Sequence, residues 1–417
     1  MNETRQLDVS NIPLEEIDVS DPMIYENDTW QPYFARLRKE APVHYQAESS
    51  NGAFWSISSH DLIKQVDTNH TVFSSEVGGI AIPDALVDDE NAMPIENFIA
   101  MDPPRHDAQR MTVSPSVAPS NLANFEPLIR ERVNDILDNL PIGEPINWVK
   151  EVSVELTARM LSTLFDFPYE QRHKLIHWSD ITTAVPELTG EEMDMEQRKA
   201  DLMECAGTFM NLWQERAAAK PKFDLISMLA HGDNTKDMIE NPLLFLGNIL
   251  LLIVGGNDTT RNSISGGVIG LNQFPDQYTK LRQNPVLIPN MVAEMVRWQT
   301  PVIHMRRTAV QDFTLGGKNI KEGDKVIMWY LSGNRDESVF PDADKLIVDR
   351  PNARAHVAFG FGIHRCMGNR LAEMQLRVLW EEIVNRFDHV ELVGEVKRLP
   401  NNFIRGIADV PVILHAK

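Results

Sequence analysis

Residues 359–370, Phe359-Gly-Phe-Gly362-Ile-His364-Arg365-Cys366-Met-Gly368-Asn-Arg370, constrain this chain more than any other stretch. A cysteine stands in a glycine-rich loop directly ahead of a segment in which Leu376, Leu379, Ile383 and Phe387 recur at spacings of three and four. That spacing predicts a helix from about Ala372 and puts Cys366 at or just before its N-terminus. Unpaired N–H groups and the helix dipole favour an anion there, so the side chain is held as thiolate. Gly362 and Gly368 let the backbone turn tightly and approach something flat and bulky. The plain alternative is a buried structural cysteine beside flexible glycines.

With the pattern Phe-x-x-Gly-x-x-x-Cys-x-Gly complete, the stretch resembles the heme-binding loop of the cytochromes P450. The resemblance implies a mainly α fold with a smaller β region (α+β). It also implies a heme b (iron protoporphyrin IX) between a long central helix and the cysteine loop. Cys366 would be the axial thiolate, which pushes electron density onto the iron and favours O–O cleavage. By the same likeness His364 meets a heme propionate, Phe359 packs beside the thiolate and excludes water, and Gly368 completes the cofactor loop.

Length alone, at 417 residues, suggests two or three domains. The resemblance runs from about residue 30 to the end and implies one P450 domain over 1–417, with residues 1–30 as an irregular arm. Sixty acids against forty bases give a net charge of −20, which argues against nucleic acid or an anionic membrane as the main partner. Two cysteines, Cys205 and Cys366, make neither a disulfide framework nor a four-cysteine zinc site, and favour a reducing compartment. The N-terminus lacks an apolar signal region. The longest apolar run, Leu243 to Gly256, is shorter than the roughly 20 residues of a membrane span. The expectation is a soluble, cytoplasmic protein with no membrane span.

Val43-His-Tyr45 and Phe54-Trp-Ser-Ile57 read as paired strands, and a helix is expected over about 61–66. The long segment Ser74 to Ala100 carries Ile80, Ile82, Leu86 and Phe98, too apolar for a free loop. In the resembling family it lines the substrate pocket. His106 and Arg110 lie one turn apart on a predicted helix, and the family implies that both bind heme propionates. Helical spacing dominates 120–290. Pro186-Glu-Leu-Thr-Gly190, between helices at about 170–185 and 196–218, is the expected lid.

A helix from Asn241-Pro to about Asn272 carries Gly255-Gly256-Asn257-Asp258-Thr259-Thr260 in its interior. Two mid-helix glycines cost about 1 kcal/mol each against alanine, and an acid inside an apolar run is also costly, so that turn has a local reason. It resembles the family's oxygen groove. Gly255 and Gly256 would make room at the heme face, Thr259 would hold oxygen and its water, and Asp258 would relay protons. Helix-disturbing residues at a simple bend are the alternative.

Glu294-Met-Val-Arg297 pairs opposite charges at i and i+3, which is an exposed ion pair on spacing alone. It matches the family's Glu-x-x-Arg, with Arg350 as a third, structural member. Arg307, beside Arg306, matches a propionate-binding arginine. Val302, Ile303 and the loop tip Phe403 would face substrate with Leu251 and Val254. Phe313-Thr-Leu-Gly-Gly-Lys and Val326–Trp329 read as a hairpin.

Leu251-Leu-Ile-Val-Gly-Gly-Asn-Asp-Thr-Thr-Arg-Asn262 and Gly362-Ile-His-Arg-Cys-Met-Gly-Asn-Arg-Leu-Ala-Glu-Met-Gln375 are similar to the bacterial family 153. That likeness implies hydroxylation of medium-chain alkanes, primary alcohols or fatty acids at the terminal methyl. A terpene or steroid hydroxylase is the alternative within the superfamily. A non-catalytic heme-thiolate sensor or a heme-free lipid carrier are alternatives outside it. With no flavin or iron–sulfur region in the sequence, ferredoxin and ferredoxin reductase are implied as electron donors, with O2 and an apolar small molecule as substrates. Arg365 and Arg370 would supply positive charge for docking.

Overall fold

The computed structural model describes residues 8–84, 96–183 and 194–417. Val43–Gln46 and Phe54–Ile57 pair antiparallel with Val43 opposite Ile57, as their apolar runs predict. Phe54–Ile57 then pairs in parallel with Lys325–Met328, followed by Met305–Ala309 and Phe73–Ser74, to give a five-stranded sheet. Gly316-Gly317, with φ of 54° and 76°, joins Phe313–Leu315 to Lys318–Ile320. This corrects the expected hairpin. Val326, Ile327 and Met328 are fully buried, and only an interior strand position satisfies them.

This sheet belongs to one of two compact units, made of Met1–Leu86, Gly266–Cys366 and Glu395–Ala408. Residues 17–30 do not lie over its surface as an arm. Ile17, Val19, Tyr25 and Trp30 are buried in a cluster with Phe34, Trp329 and Leu331, and Asp28 is ion-paired to Arg405 at 2.8 Å. Four anchors at irregular spacing bury as much as a periodic helix face, but no pattern announces them.

The other unit comprises Val87–Ser265, Met367–Gly394 and Asp409–Lys417. Helices Pro119–Asp138 and Asn369–Arg386 pack together within it, tied by Arg130 to Glu382 at 2.6 Å and by Arg377 to Glu126 at 2.6 Å. Phe165, Trp178, Phe209, Trp213 and Phe245 fill its core. A three-stranded antiparallel sheet sets Pro411–Ala416 between Pro145–Asn147 and Phe387–Leu392.

Pro242–Gln273 is one helix of 32 residues. Pro242 suits its first turn, and Asn241 caps it by accepting from the Leu244 N–H. Among the described helices it alone is long and apolar enough to cross a bilayer, and 56% of that apolar window is buried inside the protein.

Candidate heme-binding site

Cys366 is exposed, three residues ahead of the helix Asn369–Arg386. Its N–H donates to the Phe359 carbonyl at 2.8 Å and closes the loop. Gly360 and Gly362 both take φ of 66°, and a Cβ on Gly362 would collide with the Asp67 carbonyl oxygen. The Asp67 carboxylate, buried, accepts from the Phe361 N–H (2.8 Å), the Tyr330 hydroxyl (2.8 Å) and Arg307 (3.0 Å). Burial raises its pKa, opposed by the Arg307 charge. Asp67 thus positions the cysteine loop, and the sequence reading missed it. The one available signal is an acid in the last turn of the helix His60–Thr68, where the dipole disfavours it.

His364 is buried with Nε2 3.0 Å from the Ser75 Oγ. Arg307 spends its guanidinium on Asp67 and on the Arg306 carbonyl. Arg306 lies along the segment of Gly78 to Asp84, donating to the Ile82 carbonyl at 3.2 Å and to Asp84 at 2.8 Å. Phe359 and Gly368 are half-buried.

In the other unit the long helix buries apolar and polar side chains together, with Phe245, Leu246, Ile249, Leu250 and Ile253 in the core. Asn248, Asn257, Asp258 and Asn262 are buried, whereas Leu251, Val254 and Thr259 are half-covered and Gly255 is exposed. Thr259 donates its hydroxyl to the Gly255 carbonyl at 3.0 Å, and a Cβ on Gly255 would meet nothing within 4 Å. Gly256 differs, because a Cβ there would stand 2.7 Å from Leu161 and so serves packing. Asn257 accepts from Thr157 at 2.8 Å. Asp258 meets Arg261 at 2.6 Å, and the other arm of Arg261 meets Asp180 at 2.7 Å. The Asp180 side chain is 49% exposed, so a chain of charges runs from surface to helix interior. Burial raises the Asp258 pKa, opposed by Arg261.

His106 is buried on the helix Arg105–Val113, with Nδ1 2.7 Å from Asp107 and Arg110 one turn on. Burial lowers its pKa and favours the neutral ring.

Glu294, Arg297 and Arg350 form a fully buried triad. Arg297 grips Glu294 bidentately at 2.7 and 2.8 Å, and Arg350 reaches the same carboxylate at 2.9 Å. The remaining Arg297 donors meet the Asn334, Ala343 and Lys345 carbonyls. This pair is buried, where its spacing alone implies an exposed one.

Among the expected substrate contacts, Ile80, Leu251, Val254, Val302 and Phe403 are half-buried. Ile82 and Ile303 have no exposed surface and pack in the core cluster with Trp30 and Phe34. Val302 and Ile303 are consecutive in extended chain and point to opposite sides, which divides the pair. Leu86 and the lid at Pro186–Gly190 lie outside the described residues.

His304 is buried between Trp329 and Phe403, and its Nδ1–H donates to the Asn402 carbonyl at 2.8 Å. Burial lowers its pKa from 6.5 to about 4. Between those values the unfolded chain binds a proton that the folded one refuses, so stability falls as pH drops through that window. His304→Gln is expected to remove about 2 kcal/mol of the loss between pH 7 and about pH 4.5. Urea midpoints at both pH values measure it, and an unchanged loss overturns it.

The residues fit an iron porphyrin. An exposed sulfur sits in a loop locked from behind, and in the other unit the long helix leaves Gly255 exposed and Leu251, Val254 and Thr259 half-covered. The Cytochrome P450 family model matches residues 143–409. The solved Cytochrome P450-153 from Novosphingobium aromaticivorans is 45% identical with a TM-score of 0.88, covering 96% of this chain and 99% of that one. Linalool 8-monooxygenase of Pseudomonas putida is 38% identical over 97% of this chain and all of its own length. Methyl-branched lipid omega-hydroxylase of Mycobacterium bovis is 29% identical over 97% of each. The chain belongs to the cytochrome P450 family. It has the α+β fold of that family, uses heme b and is a monooxygenase.

Proposed function

We propose that this protein hydroxylates the terminal carbon of medium-chain alkanes, primary alcohols or fatty acids in the cytoplasm, with electrons from ferredoxin and its reductase. Cys366 would hold the heme iron through its thiolate, with Phe359 and Gly368 shaping its loop. Arg110 and Arg307 would bring positive charge to the propionates, and His364 and His106 would donate hydrogen bonds to them, since they are costly to bury unpaired. Arg307 also steadies the loop through Asp67. Bound there, heme supplies the activation of O2: one oxygen atom enters the C–H bond and the other leaves as water, consuming two electrons and two protons.

The protein's own residues manage those protons and the substrate. Asp180, Arg261 and Asp258 lead inward from solvent, and the Asp258 pKa, raised by burial, suits a carboxyl that takes up and passes on a proton. Thr259, its hydroxyl on the Gly255 carbonyl, loosens that turn and places a donor beside Gly255. A terminal C–H bond is stronger than its neighbour on the chain, so the selectivity must be geometric. Leu251, Val254, Val302 and Phe403 present only the chain end. Arg365 and Arg370, both exposed, offer positive charge to an acidic ferredoxin.

The observation that most supports this reading is the 45% identity to a P450-153 across 96% of the chain. The linalool relative favours a second reading, a terpene alcohol as substrate. Spin-state titration with alkanes, fatty acids, linalool and steroids, followed by product regiochemistry, tests both. Linear chains are expected to displace the iron-bound water and yield ω-alcohols. A response confined to terpenes or steroids overturns the proposal.

A further inference from the structure

We infer that the three-stranded sheet carries a second metal site, a surface clasp for a divalent transition ion such as Zn2+, built from His389, Glu391 and His415. It uses none of the residues assigned to heme. His389 on Phe387–Leu392 and His415 on Pro411–Ala416 are direct cross-strand partners, and Glu391, two residues beyond His389, shares their face. The two imidazoles stack with centroids 4.2 Å apart and planes 1° from parallel. His415 Nε2 lies 2.7 Å from a Glu391 carboxylate oxygen. One donor atom from each of the three residues lies within 4.8 Å of the others.

Two imidazole nitrogens and one carboxylate oxygen are a zinc-type donor set, with a fourth position left to water. Donors about 2.0–2.2 Å from a tetrahedral ion stand roughly 3.4 Å apart, within reach of small rotamer changes here. The contact shared by His415 and Glu391 opens to admit the ion. His389 Nδ1 is 3.2 Å from Asp388, an outer carboxylate that fixes its ring and leaves Nε2 for the metal. The three side chains are partly exposed, at 34%, 47% and 38% for His389, Glu391 and His415, so an ion can enter from solvent. Hard cations such as Mg2+ demand oxygen ligands and are excluded by the same donors. A bound ion ties the last strand of the sheet to Phe387–Leu392.

The test is calorimetric titration of tag-free, heme-loaded protein with Zn2+ after chelator treatment, with Mg2+ as the contrast. One saturable Zn2+ per chain is expected and none for Mg2+. His415→Ala and His389→Ala, shown folded by an unchanged heme spectrum, should each weaken that binding at least about 10-fold. Hydrogen exchange of residues 411–416 should slow on adding Zn2+ to the wild type and not to His415→Ala. Absence of saturable binding below about 1 mM Zn2+, or binding by both variants as tight as the wild type's, overturns the inference.

Discussion

Cys366→Ser is expected to lower hydroxylation at least about a thousandfold, equivalent to ~4 kcal/mol in barrier, while the protein stays folded. The side chain is exposed, and the Phe359 and Asp67 contacts that shape its loop run through backbone atoms, so losing the sulfur leaves them intact. A serine hydroxyl remains protonated at neutral pH and cannot replace a thiolate as donor to iron. The reduced, carbon monoxide-bound variant should lose the Soret band at the thiolate position, with an unchanged far-ultraviolet circular dichroism spectrum. A retained thiolate-type band would remove Cys366 from the site and every role assigned around it.

Glu294→Ala should be the most damaging substitution away from the heme residues. It leaves Arg297 and Arg350, both buried, facing each other without the carboxylate that satisfies them. Breaking a buried ion pair costs about 3–5 kcal/mol, out of a total stability of roughly 5–15 kcal/mol. The expected outcome is insoluble protein or a urea midpoint reduced by a third or more. Arg297→Lys should also destabilise, because one ammonium cannot hold Glu294 bidentately and still reach the Asn334, Ala343 and Lys345 carbonyls. A loss below about 1 kcal/mol for Glu294→Ala would place the triad among the weak surface pairs.

What could be read in advance was whatever a short run of residues determines. The cysteine loop, the helix Pro242–Gln273 and the Thr259–Gly255 contact each follow from spacing within a few turns. Other features depend on partners hundreds of residues away. Asp67 meets Phe361 from 294 positions off, and its neighbours in sequence show only an acid in an unfavourable last turn, not the partner it serves. Arg306 and Arg307 are indistinguishable as letters. Alternation along a strand gives one to Asp84 and the other to Asp67, and the register of Met305–Ala309 against Lys325–Met328 decides which. The same alternation separates Val302 from Ile303. Trp30 falls within the expected irregular arm, yet is buried, because isolated anchors carry no period.

The half-covered flank of the long helix has an evolutionary corollary. Its packing rests on the buried Phe245, Leu246, Ile249, Leu250 and Ile253, with Asn248, Asn257 and Asp258 buried among them, while Leu251 and Val254 stay half-covered. Mutation can therefore reshape that flank, swapping one aliphatic bulk for another, with small penalty to folding. A lineage built on such a helix can drift among new molecules to oxidise without first having to regain a stable protein.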